Sequence, residues 1–212
     1  TMVTVNLEAD NFYMYHFGPD EPLFVGMNSS HLYKMLKSVK KKDTLELFIT
    51  TQNPSLLNIR TIPKDHARIT LSSINIQTVQ NLDIVQPSGY SKSVIIPSSD
   101  FQKMIKDLNM IGSDKINVQV DNGVINFSAD ADGVMKRQVT FGDNRYDGIV
   151  NSSFFATDHI DRISKISALG DQIHIFPSTI DLPMQFKTRI GNIGEMSIYI
   201  KSEEIINQEK EI

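Results

Sequence analysis

The sequence predicts an α+β protein made of two copies of one domain, the first copy incomplete, and three observations carry that expectation. Three stretches share one helical pattern of apolar and basic residues. Short period-two runs of β-forming residues surround them. A shift of 128 residues overlays the opening of the chain on its end. Antiparallel sheets covered by helices, each oily behind and positive in front, follow from these features.

The clearest helix spans residues 98–110, SSDFQKMIKDLNM. Ser98 and Ser99 follow Pro97, and their side chains are expected to accept the free amide hydrogens of a first turn. Phe101, Met104, Ile105 and Leu108 recur at i, i+3, i+4 and i+7 and form one apolar face. Lys103 and Lys106 fall on the opposite side. Residues 29–42 repeat the arrangement with Leu32, Met35, Leu36 and Val39 behind and Lys34 and Lys37 in front. Residues 157–169 repeat it with Ile160 and Ile163, with Arg162 and Lys165 in the basic places, and with Ser164 and Ser167 where later apolar residues would stand. Lysine on the wet side of one helix is ordinary. Three helices with the pair at one offset weaken that ordinary reading. As a short basic run Lys40, Lys41 and Lys42 suit a localisation signal, but they suit better a helix C-terminus, whose dipole favours cations.

Strands are expected at VTVNLEA, FYMYHF, LFVGM, LELFIT, LLNIRTI and ARITLS, with turns at Gly18-Pro19-Asp20 and Gln52-Asn53-Pro54. Residues 75–91 form a long polar connector. Then come SVIIP, the basic helix, a hairpin turning at Asn122-Gly123, and strands at VMKRQVTF, SSFFA, QIHIF, PMQFKTR and EMSIYI. The resulting division is a first domain over 1–74, the connector over 75–91, a second domain over 92–202 and a frayed charged tail over 203–212.

The 128-residue shift sets Leu32 on Ile160, Asp43 on Asp171, Leu45 on Ile173 and Phe48 on Phe176. It also lays LLNIRTI over PMQFKTR and ARITLS over EMSIYI, which marks an internal duplication. The first copy then lacks a strand, a basic helix and a hairpin. A fragment of a longer protein is the expectation.

Composition narrows the classes. The 212 residues are 40% hydrophobic, enough for proper cores, and the net charge of −4 confines any phosphate-facing charge to local patches. No cysteine is present, so thiol chemistry and cysteine metal sites are excluded. No apolar run reaches the ~20 residues of a membrane span, and no signal-peptide pattern is seen, so a soluble intracellular protein without membrane partners is expected. His16, His31, His66, His159 and His174 are scattered without metal-ligand spacing. Neither a phosphate loop nor a nucleophile elbow occurs. Asp130 and Asp132 before Gly133 resemble part of a calcium loop whose bidentate Glu is missing, and Gly191 to Gly194 reads as a hairpin turn. No enzyme, cofactor or metal is expected.

The segments GMNSSHLYKMLKSVKKKDTLELFI, IPSSDFQKMIKDLNMIGSDKINVQVDNGVINFSADADG and IDLPMQFKTRIGNIGEMSIYIK resemble the proliferating cell nuclear antigen family, the DNA sliding clamps. The likeness covers nearly the whole chain in order, with scattered identities. About forty opening residues are absent, the connector is longer, and the tail lacks the Ala-Pro before its acidic end. The resemblance implies a homotrimeric ring with sheets outside and helices lining a central channel for duplex DNA. Lys34, Lys37, Lys40, Lys103, Lys106, Arg162 and Lys165 would face the phosphates, mostly flexible point charges that attract without gripping. Ring closure would join an edge carrying His66, Arg68, Ile69 and Leu71 within 65–71 to one carrying Val134, Lys136 and Gln138 within 133–141. Arg68 and Lys136 also suit ordinary edge protection. Leu82, Ile84, Pro183, Tyr199 and Lys201, with Ser202 beside them, would take short hydrophobic-aromatic peptides of DNA polymerase, nuclease, ligase and clamp loader. The nucleus is the implied location. Two alternatives stay open: a non-ring DNA-binding accessory factor and an interaction scaffold of the same fold.

Overall fold

The computed structural model describes residues 1–18, 22–65, 68–79, 84–90, 92–121, 123–142, 151–179 and 181–211. The chain divides into two units, His16–Val85 and a larger one made of Thr1–Tyr15 and Gln86–Ile212. The larger unit has a five-stranded antiparallel sheet in the order β1 (Met2–Leu7), β14 (Gly194–Ile200), β13 (Met184–Ile190), β12 (Gln172–Phe176) and β7 (Val94–Pro97). A second, four-stranded sheet runs β10 (Met135–Phe141), β9 (Val124–Ala131), β8 (Lys115–Asp121) and β11 (Asn151–Ala156).

Helix α2 (Ser98–Asn109) closes one core between these sheets. Phe101, Met104, Ile105 and Leu108 are all buried, as their spacing predicts. The Phe101 ring meets Phe127 of β9 edge-on at 6.4 Å and Phe186 of β13 at 5.7 Å, so one side chain ties both sheets to the helix. The expected serine cap does not form: Ser98 Oγ donates to the Gly170 carbonyl and Pro97 occupies the cap position. Helix α3 (Thr157–Ile163) continues into a 3₁₀ segment over Ser164–Ala168. Ile160, Ile163 and Ile166 are buried. Tightening to three residues per turn carries Ile166 onto the core face, so the serines do not replace the apolar stripe.

The smaller unit contains α1 (Ser29–Leu36), a pair formed by β2 (Val25–Gly26) with β6 (Gln77–Thr78), and a sheet ordered β3 (Thr44–Thr50), β4 (Asn53–Ile62), β5 (Thr70–Asn75). Asn28 caps α1, its side chain accepting from the Ser30 and His31 amides. The helix stops at Leu36, short of the expected residue 42. Lys40 lies instead in a turn closed by its amide donating to the Asp43 carboxylate, so the lysine run is not at a helix C-terminus. The chain turns there as expected, at Thr51 and Gln52, and Asn53 and Pro54 already open β4.

The duplication is visible in the elements. The shift of 128 carries Ser29, the start of α1, onto Thr157, the start of α3; Thr44 onto Gln172; and Ile62 onto Ile190. In both copies a helix leads into a three-strand antiparallel meander. By sequence order β1 belongs to the first copy, yet it pairs with β14 from Met2↔Tyr199 to Leu7↔Gly194.

Two other expectations change. Residues 12–17 form no strand; a 3₁₀ turn at Ala9–Asn11 precedes them, and Tyr13, Met14 and Tyr15 are exposed. In the second copy β9 and β8 separate β10 from β11. Among the described residues no strand pairs with FYMYHF.

Residues 203–211 of the expected frayed tail form a helix instead: α4 (Glu203–Glu211) packs against β11. The Glu204 carboxylate accepts from the Phe154 amide at 3.1 Å, on the side of β11 facing away from β8. Glu203 pairs with Lys115 at 2.6 Å and holds that ammonium above its ordinary range, and Ile205 is buried. The helix thereby covers a strand edge. Replacing Glu204 by alanine is expected to cost about 0.5–1.5 kcal/mol and to fray α4, read as lost helical ellipticity and faster proteolysis at Lys210.

Candidate nucleic-acid and partner surfaces

In the larger unit α2 packs against α3 and its 3₁₀ extension, joined by Asn109 Nδ2 donating to Asp161 Oδ1 at 2.7 Å. Lys103, Lys106, Arg162 and Lys165 are all exposed on these neighbouring elements. None takes part in an ion pair among the described residues, whereas Asp107 of α2 is engaged by Arg137 of β10 at 3.7 Å and Asp161 by Asn109. Two nearby carboxylates are thus tied sideways rather than to these cations. Four aspartates, Asp100, Asp107, Asp158 and Asp161, stand on the same helices. The face is therefore close to neutral in sum and suited to weak, salt-sensitive contact with phosphates.

In the smaller unit Lys34, Lys37 and Lys40 are likewise exposed and unpaired among the described residues. Residues 34–42 carry five lysines and no acid, the densest positive stretch of the chain.

Both expected strand edges are open among the described residues. The strand β5 pairs only with β4, and β10 only with β9. Leu71 is 57% exposed on the first, and Val134 is 89% exposed beside the second. Ile69, Lys136 and Gln138 are also exposed. The first edge is shorter than expected, because β5 starts at Thr70 and leaves Arg68 and Ile69 ahead of it. His66 lies outside the described residues.

Of the expected peptide site, Pro183, Tyr199 and Lys201 belong to the larger unit. Tyr199 is buried and accepts from Gln185 Nε2 at 3.1 Å. Pro183 is half-buried, and Lys201 is engaged by Glu209 of α4. Ser202 is buried and caps the start of α4. Ile84 is exposed in the smaller unit, and Leu82 lies outside the described residues. The sequence reading missed Tyr90. Its hydroxyl donates to the Pro183 carbonyl at 2.8 Å, and its ring meets Phe176 at 5.7 Å and Tyr199 at 6.5 Å. A lone tyrosine after Pro87-Ser88-Gly89 in a polar connector was the signal available.

Among the described residues no group of three or more His, Asp or Glu is placed to hold a metal ion, and no helix is long and apolar enough to cross a membrane. Asp130 Oδ1 accepts from the Gly133 amide at 2.7 Å and Asp132 has φ 50°, a turn that the aspartates serve locally.

Residues 84–203 match the family model of the proliferating cell nuclear antigen C-terminal domain. Proliferating cell nuclear antigen of Saccharomyces cerevisiae is 29% identical over 133 residues, covering 62% of this chain and 50% of that protein. Proliferating cell nuclear antigen 2 of Plasmodium falciparum is 26% identical over 212 residues, covering 93% of this chain and 78% of that protein. The chain thus spans about half the length of the yeast relative that it matches.

Proposed function

Since the chain belongs to the proliferating cell nuclear antigen family, we propose that it acts as a sliding clamp in the nucleus: a non-enzymatic trimeric ring that holds replication and repair proteins on duplex DNA. The observation that carries this reading is the β1–β14 pair, in which a strand from the first copy joins the last strand of the second. β10 precedes the α3 meander as β1 precedes the α1 meander, and β5 ends its meander as β14 does. Repeating that pair between molecules joins β10 of one subunit to β5 of the next, and both edges are open among the described residues. Two unpaired edges on one molecule generate head-to-tail assembly, which becomes a closed ring when the rotation permits.

The seven basic side chains then supply a wall without sequence preference. Six of them are lysines, hydrated and mobile, and no Arg or Asn presentation suited to reading base edges accompanies them. Clients would dock as short hydrophobic-aromatic peptides at Pro183, Tyr199 and Lys201.

The test joins mass and retention. Light scattering is expected to give three times the chain mass, and the protein is expected to stay on closed circular DNA while running off linear ends. Equal retention on both substrates favours the accessory-factor reading, and a persistent monomer removes the ring. Substituting Lys103→Glu together with Lys106→Glu should lower the slope of log K against log salt by about 2 and the affinity about tenfold or more. A scaffold without a DNA role would show no such change.

A further inference from the structure

The aspartates that share α2 and α3 with the basic side chains are of two kinds. Asp100 and Asp158 stand in the first turns, where the helix dipole favours a carboxylate. Asp107 and Asp161 lie further along, each four residues from a lysine: Asp107 follows Lys103, and Asp161 precedes Lys165. Opposite charges at that helical spacing are neighbours and ordinarily pair. Neither pair forms among the described residues. A third residue holds each carboxylate instead: Arg137 Nη1 of β10 lies 3.7 Å from Asp107 Oδ1, and Asn109 Nδ2 donates to Asp161 Oδ1 at 2.7 Å. We infer that Arg137 and Asn109 are positioning residues for the basic face, holding Asp107 and Asp161 off Lys103 and Lys165 so that both ammonium groups stay available to phosphates. The inference rests on the basic-face part of the preceding proposal.

The hold on Asp107 is double. The carbonyls of a helix's last turn have no partner within the helix. Those of Lys106, Leu108 and Asn109 accept from the amides of Met110, Ile111 and Gly112. The Asp107 carbonyl is left over, and Arg137 Nη1 donates to it at 3.3 Å. A guanidinium at that end also suits the negative pole of the dipole. One cation from β10 therefore serves both the main-chain oxygen and the carboxylate of Asp107, and a swing of that carboxylate toward Lys103 would give up the ion pair. At Asp161 the Asn109 amide makes a hydrogen bond strengthened by the carboxylate charge. Both clamps belong to the last turn of α2, and both satisfy an acid without engaging a lysine.

The experiment uses the full chain and a short fluorescent DNA duplex, titrated at several salt concentrations. Asn109→Ala removes one clamp without changing net charge. It should let Asp161 pair with Lys165, weaken duplex binding about two- to fivefold and lower the salt slope by up to about 1. Adding Asp161→Asn should restore the parent affinity. Arg137→Gln should weaken binding by a similar factor, and Asp107→Asn should raise affinity more in that background than in the parent. Reductive methylation mapped by mass spectrometry reads the lysines without DNA. Lys165 in Asn109→Ala and Lys103 in Arg137→Gln should each react about twofold more slowly, because a carboxylate partner keeps an ammonium protonated. Unchanged reactivity of both lysines overturns the clamps. A loss of affinity that the aspartate substitutions do not restore makes Arg137 and Asn109 merely structural and overturns the positioning role. If Lys103→Glu with Lys106→Glu leaves duplex binding untouched while the two lysines still slow, the basic-face reading fails, the phosphate role falls with it, and the clamps alone survive. Asn109 is exposed at the end of α2, so its truncation leaves the core intact and keeps the test decisive should Arg137→Gln disturb β10.

Discussion

Replacing Phe101 by alanine is expected to destabilise the larger unit by about 3–5 kcal/mol, the largest effect of any single change considered. The ring is fully buried and touches Phe127 in one sheet and Phe186 in the other. Truncation removes its transfer free energy and leaves a void that cannot close easily, because two sheets and α2 meet at that point. Domains of this size have a total stability of ~5–15 kcal/mol, so the variant should approach the unfolding threshold. Urea denaturation followed by far-ultraviolet ellipticity measures it. A midpoint within the error of the parent would mean that the sheets are held together elsewhere. Phe101→Leu, which keeps most of the volume, should recover more than half of the loss.

The pattern that identified α2 was reliable because a long amphipathic helix buried on one side repeats its apolar residues at helical spacing. The same reasoning failed at Ile166, where the chain tightens to a 3₁₀ path and three-residue spacing takes over. It failed again at FYMYHF, whose alternation suits a strand but which has no partner strand among the described residues. Alternation reports compatibility with a sheet, while pairing depends on what lies alongside. The tail was read as frayed on its charge. Glu203 and Glu204 are in fact what hold it, one against Lys115 and the other on a free amide of β11. Charge density alone does not tell a solvated tail from one whose carboxylates have specific donors.

The surfaces divide in the same way. Lys103 and Lys106 could be placed from periodicity, because the wet side of a helix is fixed once its oily side is known. That the neighbouring carboxylates are engaged by Arg137 and Asn109 depends on residues distant in sequence, so no local pattern announces it. Tyr90 lies 93 residues before the carbonyl it binds, and a connector's contacts with a distant sheet leave no periodic trace.

Substituting Gly194 by valine is expected to release β1 without unfolding the rest. A Cβ at position 194 would lie 2.0 Å from the Asn6 carbonyl oxygen and 2.9 Å from the Leu7 Cα, both of them backbone atoms that cannot swing aside. The two strands approach there as only glycine permits. The rest of β1 adds little resistance, since Val3, Val5 and Leu7 are all about half exposed. The strand is held chiefly by its ladder to β14, so it should open as a local unit. Amide exchange in residues 2–7 should rise to near the rate of an open chain, while α2 and β12 keep their protection. The cost to global stability should stay near 1–2 kcal/mol. Full retention of β1 protection would show that the backbone can shift to admit the side chain.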